Sequence, residues 1–244
     1  MSNFGGGWRG MLGVVFPTKG SGSLEEMVRL FPDGLCIIPL YQSVRKGTLD
    51  EFGGAIPGYE AKIAELADDG VDLIYAAGTP PFMLIGFKNE QALIAKWEAK
   101  FNIPVFTSGT NQMRAMRALG MQKFVGIGYD FEDTSIVSRY FTDGGFDVMA
   151  IDRLPGRWED IGTLAPGEVY RQIKKIYKSH PRADGIYIQG QKIRMLDMIQ
   201  ELEDDLGVPV LHPGCSAVWE SMIRLDVRKK RTGYGRLLAE LPEF

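Results

Sequence analysis

Four short segments of the 244-residue chain carry groups able to hold an anion: Phe16-Pro17-Thr18, Gly78-Thr79-Pro80-Pro81, Gly128-Tyr129-Asp130 and Gly190-Gln191-Lys192. Each follows an apolar run. Each offers backbone N–H groups, a hydroxyl or a polar side chain, the donors that cradle a carboxylate or steady an enolate-like oxyanion. Pro17, Gly78, Thr79, Tyr129, Gly190 and Gln191 are therefore candidate substrate-binding residues. Tyr129, Lys192 and Cys215 are the candidates for moving a proton. The Tyr129 phenol could donate to a carboxylate, or its ring could lid the loop with the hydroxyl in water. Thr79 could hold an oxyanion or cap a turn. Lys192 and Lys19 could act as a base or a cation if buried, although loop lysines commonly face solvent. Cys215 follows His212 near a helix start, which can lower a thiol pKa, but small cysteines are also common core residues. Asp130 could be a base or a helix cap. Gln189 and Gln191 can bind but not move protons. Phe16, Tyr41, Phe82 and Trp158 suit either a pocket wall or a core.

These segments need a scaffold that brings them together, and an internal echo supplies one. Asp72-Leu73-Ile74-Tyr75-Ala76-Ala77-Gly78 is answered by Asp184-Gly185-Ile186-Tyr187-Ile188-Gln189-Gly190. Ile103-Pro104-Val105 is then answered by Val208-Pro209-Val210. Two phrases in the same order predict two similar α/β halves. Strands are expected at 11–16, 35–41, 71–77, 103–106, 124–128, 146–151, 186–189 and 208–211. Helices are expected from Ser23, over 56–69, 89–101, 111–119, 133–143, 166–178 and 193–206, and from Ser216 to Leu225. Short, unalternated apolar strands separated by helices predict parallel sheets covered on both faces. The expected fold is α/β: two pseudo-symmetric parallel four-stranded domains with the site at their interface. The first comprises residues 10–110 plus 216–244, and the second residues 111–215. Ligands gather at the carboxyl ends of such strands.

The composition narrows the function classes. At 45% apolar and 24% charged residues the chain reads as an ordinary globular protein. A net charge of −3 carries no nucleic-acid footprint, and Arg228-Lys229-Lys230-Arg231 reads as a solvated helix end. No apolar run approaches the ~20 residues needed to span a bilayer. Two cysteines and two histidines argue against a zinc site and a disulfide scaffold, and fit a reducing cytoplasm. The Gly-rich segment Met1 to Arg9 lacks an apolar signal core. Neither G-x-G-x-x-G nor a Walker lysine pattern follows a strand. No cofactor is expected, and an oligomer is possible.

The chain resembles the aspartate/glutamate racemase superfamily, and most closely its arylmalonate decarboxylase and maleate cis–trans isomerase branch. The resemblance is carried by the strand ending Phe16-Pro17, by Ile74 to Thr79, by Gly128-Tyr129, and by Leu196-Asp197-Met198-Ile199 leading through Glu201 to Leu206-Gly207-Val208-Pro209-Val210. It implies cofactor-free chemistry beside a carboxylate in a cleft between the halves, with Thr79 and Tyr129 at carboxylate-binding positions. The family pattern places cysteine at one or both of two mirror positions, which fall here at Gly78 and Gly190. Decarboxylases of the branch keep the first glycine but need the second cysteine, and their pattern has serine where this chain has Pro80. The expected function is a decarboxylase- or isomerase-like enzyme acting on a small mono- or dicarboxylic acid. Its returning proton would come from Lys192, Tyr129, Cys215 or water. The alternatives are a non-catalytic binder of small carboxylates and a hydrolase or lyase variant on the same scaffold.

Overall fold

The apolar runs become strands of two parallel sheets. In the first, β1 (Gly10–Phe16), β2 (Leu35–Tyr41), β3 (Leu73–Ala76) and β4 (Val105–Thr107) lie in the order β2-β1-β3-β4. In the second, β5 (Lys123–Gly128), β6 (Asp147–Arg153), β7 (Gly185–Ile188) and β8 (Val210–Leu211) repeat that order as β6-β5-β7-β8. Every neighbouring pair is parallel. The α/β class with two pseudo-symmetric parallel four-stranded halves is therefore the observed architecture. These features come from a computed structural model that describes residues 6–19, 22–130, 133 and 135–244.

The helices are α1 (Ser23–Leu30), α2 (Leu49–Gly53), α3 (Ile56–Asp68), α4 (Thr79–Ile85), α5 (Phe87–Phe101), α6 (Ser108–Ala118), α7 (Ser135–Asp143), α8 (Pro166–Ser179), α9 (Ile199–Leu206), α10 (Pro213–Arg224) and α11 (Arg236–Glu240). Strand β1 explains why both sheet faces must be covered. Leu12, Val14 and Phe16 enter the larger core, while Met11 and Val15 enter a second core with Tyr59, Ile63 and Trp97 of α3 and α5. Period-2 alternation thus puts apolar groups on both faces. The larger core continues into the second half through Phe124, Ile127, Tyr187 and Ile199.

The two halves exchange helices. Helix α6 leaves β4 and packs against α10 and β8. Helix α10 leaves β8 and packs against α1 and β3. Each I/V-P-V phrase therefore launches a helix toward the other sheet.

The observed helix starts correct several sequence expectations. Helix α6 begins at Ser108 rather than Asn111, and α10 at Pro213 rather than Ser216. Helix α5 begins at Phe87, two residues before the expected start. The segment expected to be helical from Ile193 instead has a 3₁₀ turn at Leu196–Met198, and α9 starts at Ile199. Gly78-Thr79-Pro80-Pro81 opens α4, with proline in its first turn. Proline is tolerated there because the first N–H groups of a helix have no partner inside it. Helices α2 and α11 are short, and no period marks them in the sequence. Met1 to Gly5 and the loop residues Gly20 and Ser21 lie outside the described residues, as do 131, 132 and 134 near the expected start of α7.

Candidate active site

The carboxyl ends of β1, β3, β5 and β7 meet at one cavity between the halves. It is lined by Phe16, Pro17 and Thr18 after β1, by Gly78, Thr79 and Pro80 after β3, by Tyr129 after β5, and by Gly190, Gln191 and Lys192 after β7. Ser23, Phe52, Ser108, Trp158 and Pro213 complete the wall. The volume open to water-sized centres is about 40 Å³, room for about three waters at roughly 10–15 Å³ each. Pro17, Gly78, Thr79, Tyr129, Gly190, Gln191 and Lys192 are thus brought together. Cys215 is not.

Two hydroxyls are set as donors by the groups behind them. Tyr187 Oη donates to Gln112 Oε1 at 2.9 Å, and Gln112 Nε2 donates to Thr79 Oγ1 at 3.0 Å. Gln112 is fully buried, so the chain Tyr187–Gln112–Thr79 has one favoured direction. The Thr79 oxygen accepts from behind, and its own proton makes a long contact, 3.5 Å to Gln112 Oε1, so it is available to a better-placed acceptor in the cavity. Ser108 repeats the device. Its oxygen accepts from the Gly78 N–H at 2.8 Å and lies 2.6 Å from Tyr75 Oη. Tyr75 is fully buried, and donation to Ser108 satisfies its own proton. The Ser108 proton is then left for a ligand. Ser108, Gln112 and Tyr75 are missing from the sequence-predicted set. Reading α6 from Asn111 left Ser108 in a loop, and no local pattern places Gln112 behind Thr79.

Further donors lack acceptors. Trp158 Nε1 and Gln191 Nε2 are buried with no hydrogen-bond partner among the described residues. Buried polar atoms in such a state call for an acceptor from a ligand or solvent. None of the described lining residues is Asp, Glu or His. Among its described residues the wall is rich in donors and has one cation, Lys192.

Lys192 is already engaged. Its Nζ donates to the carbonyls of Trp158 at 2.9 Å and Glu159 at 3.3 Å, and sits 3.9 Å above the Trp158 ring. Burial holds its pKa below the usual lysine range. Trp158 packs edge-on against Phe52 of the first half and Tyr129 of the second. Phe52, Trp158 and Phe16 make the apolar side of the cavity.

Tyr129 is buried, and its backbone N–H donates to Gln189 Oε1 at 3.3 Å. The Lys192 backbone N–H lies near its phenol oxygen. Burial raises its pKa above the ordinary phenol range, an effect that the Lys192 N–H partly offsets. Gly78 and Gly190 have φ of +98° and +88°, in the region that glycine adopts most readily. A β-carbon at Gly78 would lie 2.8 Å from Pro17 Cγ. One at Gly190 would lie 1.7 Å from the Tyr129 hydroxyl.

The remaining candidates fall elsewhere. Cys215 lies in the first turn of α10, fully enclosed, with its thiol donating to the Tyr234 carbonyl at 3.8 Å. Burial pushes its pKa up, and Glu26 and Glu203 add to the shift. Its neighbour His212 caps α10 through Nδ1, which accepts from the Gly214 N–H at 3.2 Å. Burial lowers the His212 pKa to about 4, so the ring is neutral and cannot act as a cation beside the thiol. Asp130 pairs with Arg153 on the surface. Lys19 lines a separate shallow groove with Gln42 and Arg45. Gln189 supports the Tyr129 backbone from behind. Phe82 packs under Tyr59 and Trp97, and Tyr41 stacks on Phe16. Among the described residues, no helix is long and apolar enough to cross a membrane.

Known proteins share this fold. A double mutant of arylmalonate decarboxylase in a liganded form superposes with a TM-score of 0.87 at 21% identity, covering 94% of this chain and 98% of that one. A mutant maleate isomerase from Pseudomonas putida with maleate gives a TM-score of 0.85 at 19% identity, over 94% and 97%. The arylmalonate decarboxylase of Bordetella bronchiseptica is 23% identical over 94% of this chain and 96% of its own length. The arylmalonate decarboxylase family profile matches residues 13–238. That span takes in β2 to β8, the last four residues of β1 and every described residue lining the cavity, and by it the chain belongs to the arylmalonate decarboxylase family.

Proposed function

We propose that the chain is a cofactor-independent enzyme that cleaves or rearranges a bond next to a carboxylate of a small mono- or dicarboxylic acid. One observation carries this reading: a cavity walled by hydrogen-bond donors, with no carboxylate or imidazole among its described lining residues. Such a wall favours an anion and repels little of the charge that develops on its oxygens. Thr79, Ser108 and the Gly190-Gln191 backbone would hold the carboxylate that stays and its enediolate form. Phe16, Phe52 and Trp158 would face the carboxylate that leaves. An apolar wall solvates that group poorly and favours its loss as neutral carbon dioxide. No metal or redox group is needed for this chemistry, because the electron pair released by carbon–carbon cleavage rests on the retained carboxylate.

The test is a panel of arylmalonates, alkylmalonates and small unsaturated dicarboxylates. Carbon dioxide release, cis–trans conversion and deuterium uptake from solvent are followed together. Turnover of any member supports the reading. Tight binding without any of the three signals overturns it in favour of a second reading, a carboxylate binder. The binder is favoured by one feature, glycine at both 78 and 190, so that no thiol reaches the cavity.

A further inference from the structure

Any carbanion formed in this cavity must be reprotonated, and the geometry leaves few groups to do it. Cys215 faces the Tyr234 carbonyl rather than the cavity. Lys192 Nζ is held by two backbone carbonyls and the Trp158 ring. The hydroxyl of Tyr129 stands 1.7 Å from the place a β-carbon of residue 190 would take, and its ring carbons stand at 2.2 and 2.6 Å. The phenol therefore fills the seat of a side chain at position 190. We propose that Tyr129 is the proton donor, its hydroxyl delivering from the seat that Gly190 vacates. The inference rests on the function proposed above.

The step balances. The carbon–carbon bond breaks, carbon dioxide leaves, and the electron pair stays on the carbon next to the retained carboxylate. The O–H bond of Tyr129 then breaks as a new C–H bond forms. The resulting phenolate takes a proton back from solvent. A phenol suits this task. It stays protonated at neutral pH, and a carbanion beside a carboxylate is a far stronger base than phenolate. A β-carbon at position 190 would overlap the phenol in its present place, and a φ of +88° independently favours glycine there.

The test uses the full-length protein with the best turned-over acid of the panel. Tyr129→Phe removes only the hydroxyl. It should lower kcat about 10²–10⁴-fold, the usual contribution of a general acid, while binding of the product acid by calorimetry stays close to wild type. Deuterium delivered to one face of the product by wild-type enzyme in D₂O should become distributed over both faces. A second variant guards against a merely structural effect. Gly190→Cys combined with Tyr129→Ala, which empties the seat for a thiol, should regain turnover that Tyr129→Ala alone lacks. Tyr129→Phe with wild-type kcat and stereochemistry would overturn the assignment and leave the proposed function standing. Wild-type protein that binds acids and turns over none would overturn both.

Discussion

Thr79 is a donor because of what stands behind it. Its oxygen receives Gln112 Nε2, which is itself oriented by Tyr187. Thr79→Val keeps the shape and removes the hydroxyl, so a bound carboxylate loses one donor and Gln112 loses its acceptor. Weakening of acid binding by about 10–100-fold is expected, as for a hydrogen bond to a charged group. Calorimetry with a product acid measures it directly. Cys215→Ala should leave kcat unchanged and lower stability by about 1 kcal/mol, the scale of a small buried truncation. Steady-state kinetics and denaturant titration separate the two effects. Glu26 makes a prediction about pH. It is buried in α1 with Oε2 lacking a partner among the described residues. Burial pushes its pKa up to about 7, with Arg194 opposing. Between the ordinary carboxylate value of 4.5 and about 7 the unfolded chain ionises Glu26 while the folded one does not, so stability falls as pH rises through that window. Glu26→Gln removes the penalty. Its gain should be absent at pH 4.5, grow to about 1–3 kcal/mol by neutrality, and stay constant above. Thermal unfolding at several pH values reads this, and an equal gain at every pH would refute it.

At the scale of elements, periodicity and punctuation located most strands and helices. Strands β1 and β2 and helix α1 follow the sequence closely because their apolar runs and acidic first turn are local signals. The helix starts at the cavity did not. Thr79 opens α4 with two residues between it and β3, and Ser108 opens α6 directly from β4. Prolines, serine and glycine there read as turns, and tertiary packing overrides that preference. Pro80 follows Thr79 in the first turn of α4 and lines the cavity. Serine is compatible with that position and restores a hydroxyl and an N–H. Pro80→Ser should therefore lower KM for an acid substrate by up to about tenfold, as one added donor to a charged oxygen contributes about 1.5 kcal/mol. A raised KM would show that the stiffness of the double proline matters more than the added donor.

At the scale of the whole molecule, the crossed packing of α6 and α10 makes each half depend on the other. The larger core runs through both sheets, and residues 111–215 cut out alone would lose most of α10, which packs against α6. Equilibrium unfolding should be a single transition, coincident by tryptophan fluorescence and far-UV circular dichroism. Limited proteolysis should release no stable half. Two separated transitions would show that 10–110 with 216–244, and 111–215, are independent domains.

The sequence alone determined the repeated α/β pattern, the four strand-end segments and the lack of a thiol at 78 and 190, because strand period, glycine position and residue identity are local facts. Only the tertiary structure decided which groups meet. It turned Cys215 away, pinned Lys192 over the Trp158 ring, placed Gln112 and Tyr75 behind two hydroxyls and set the Tyr129 phenol in the empty place at residue 190. Such juxtapositions arise from packing between segments far apart in the chain, and no spacing along one segment encodes them.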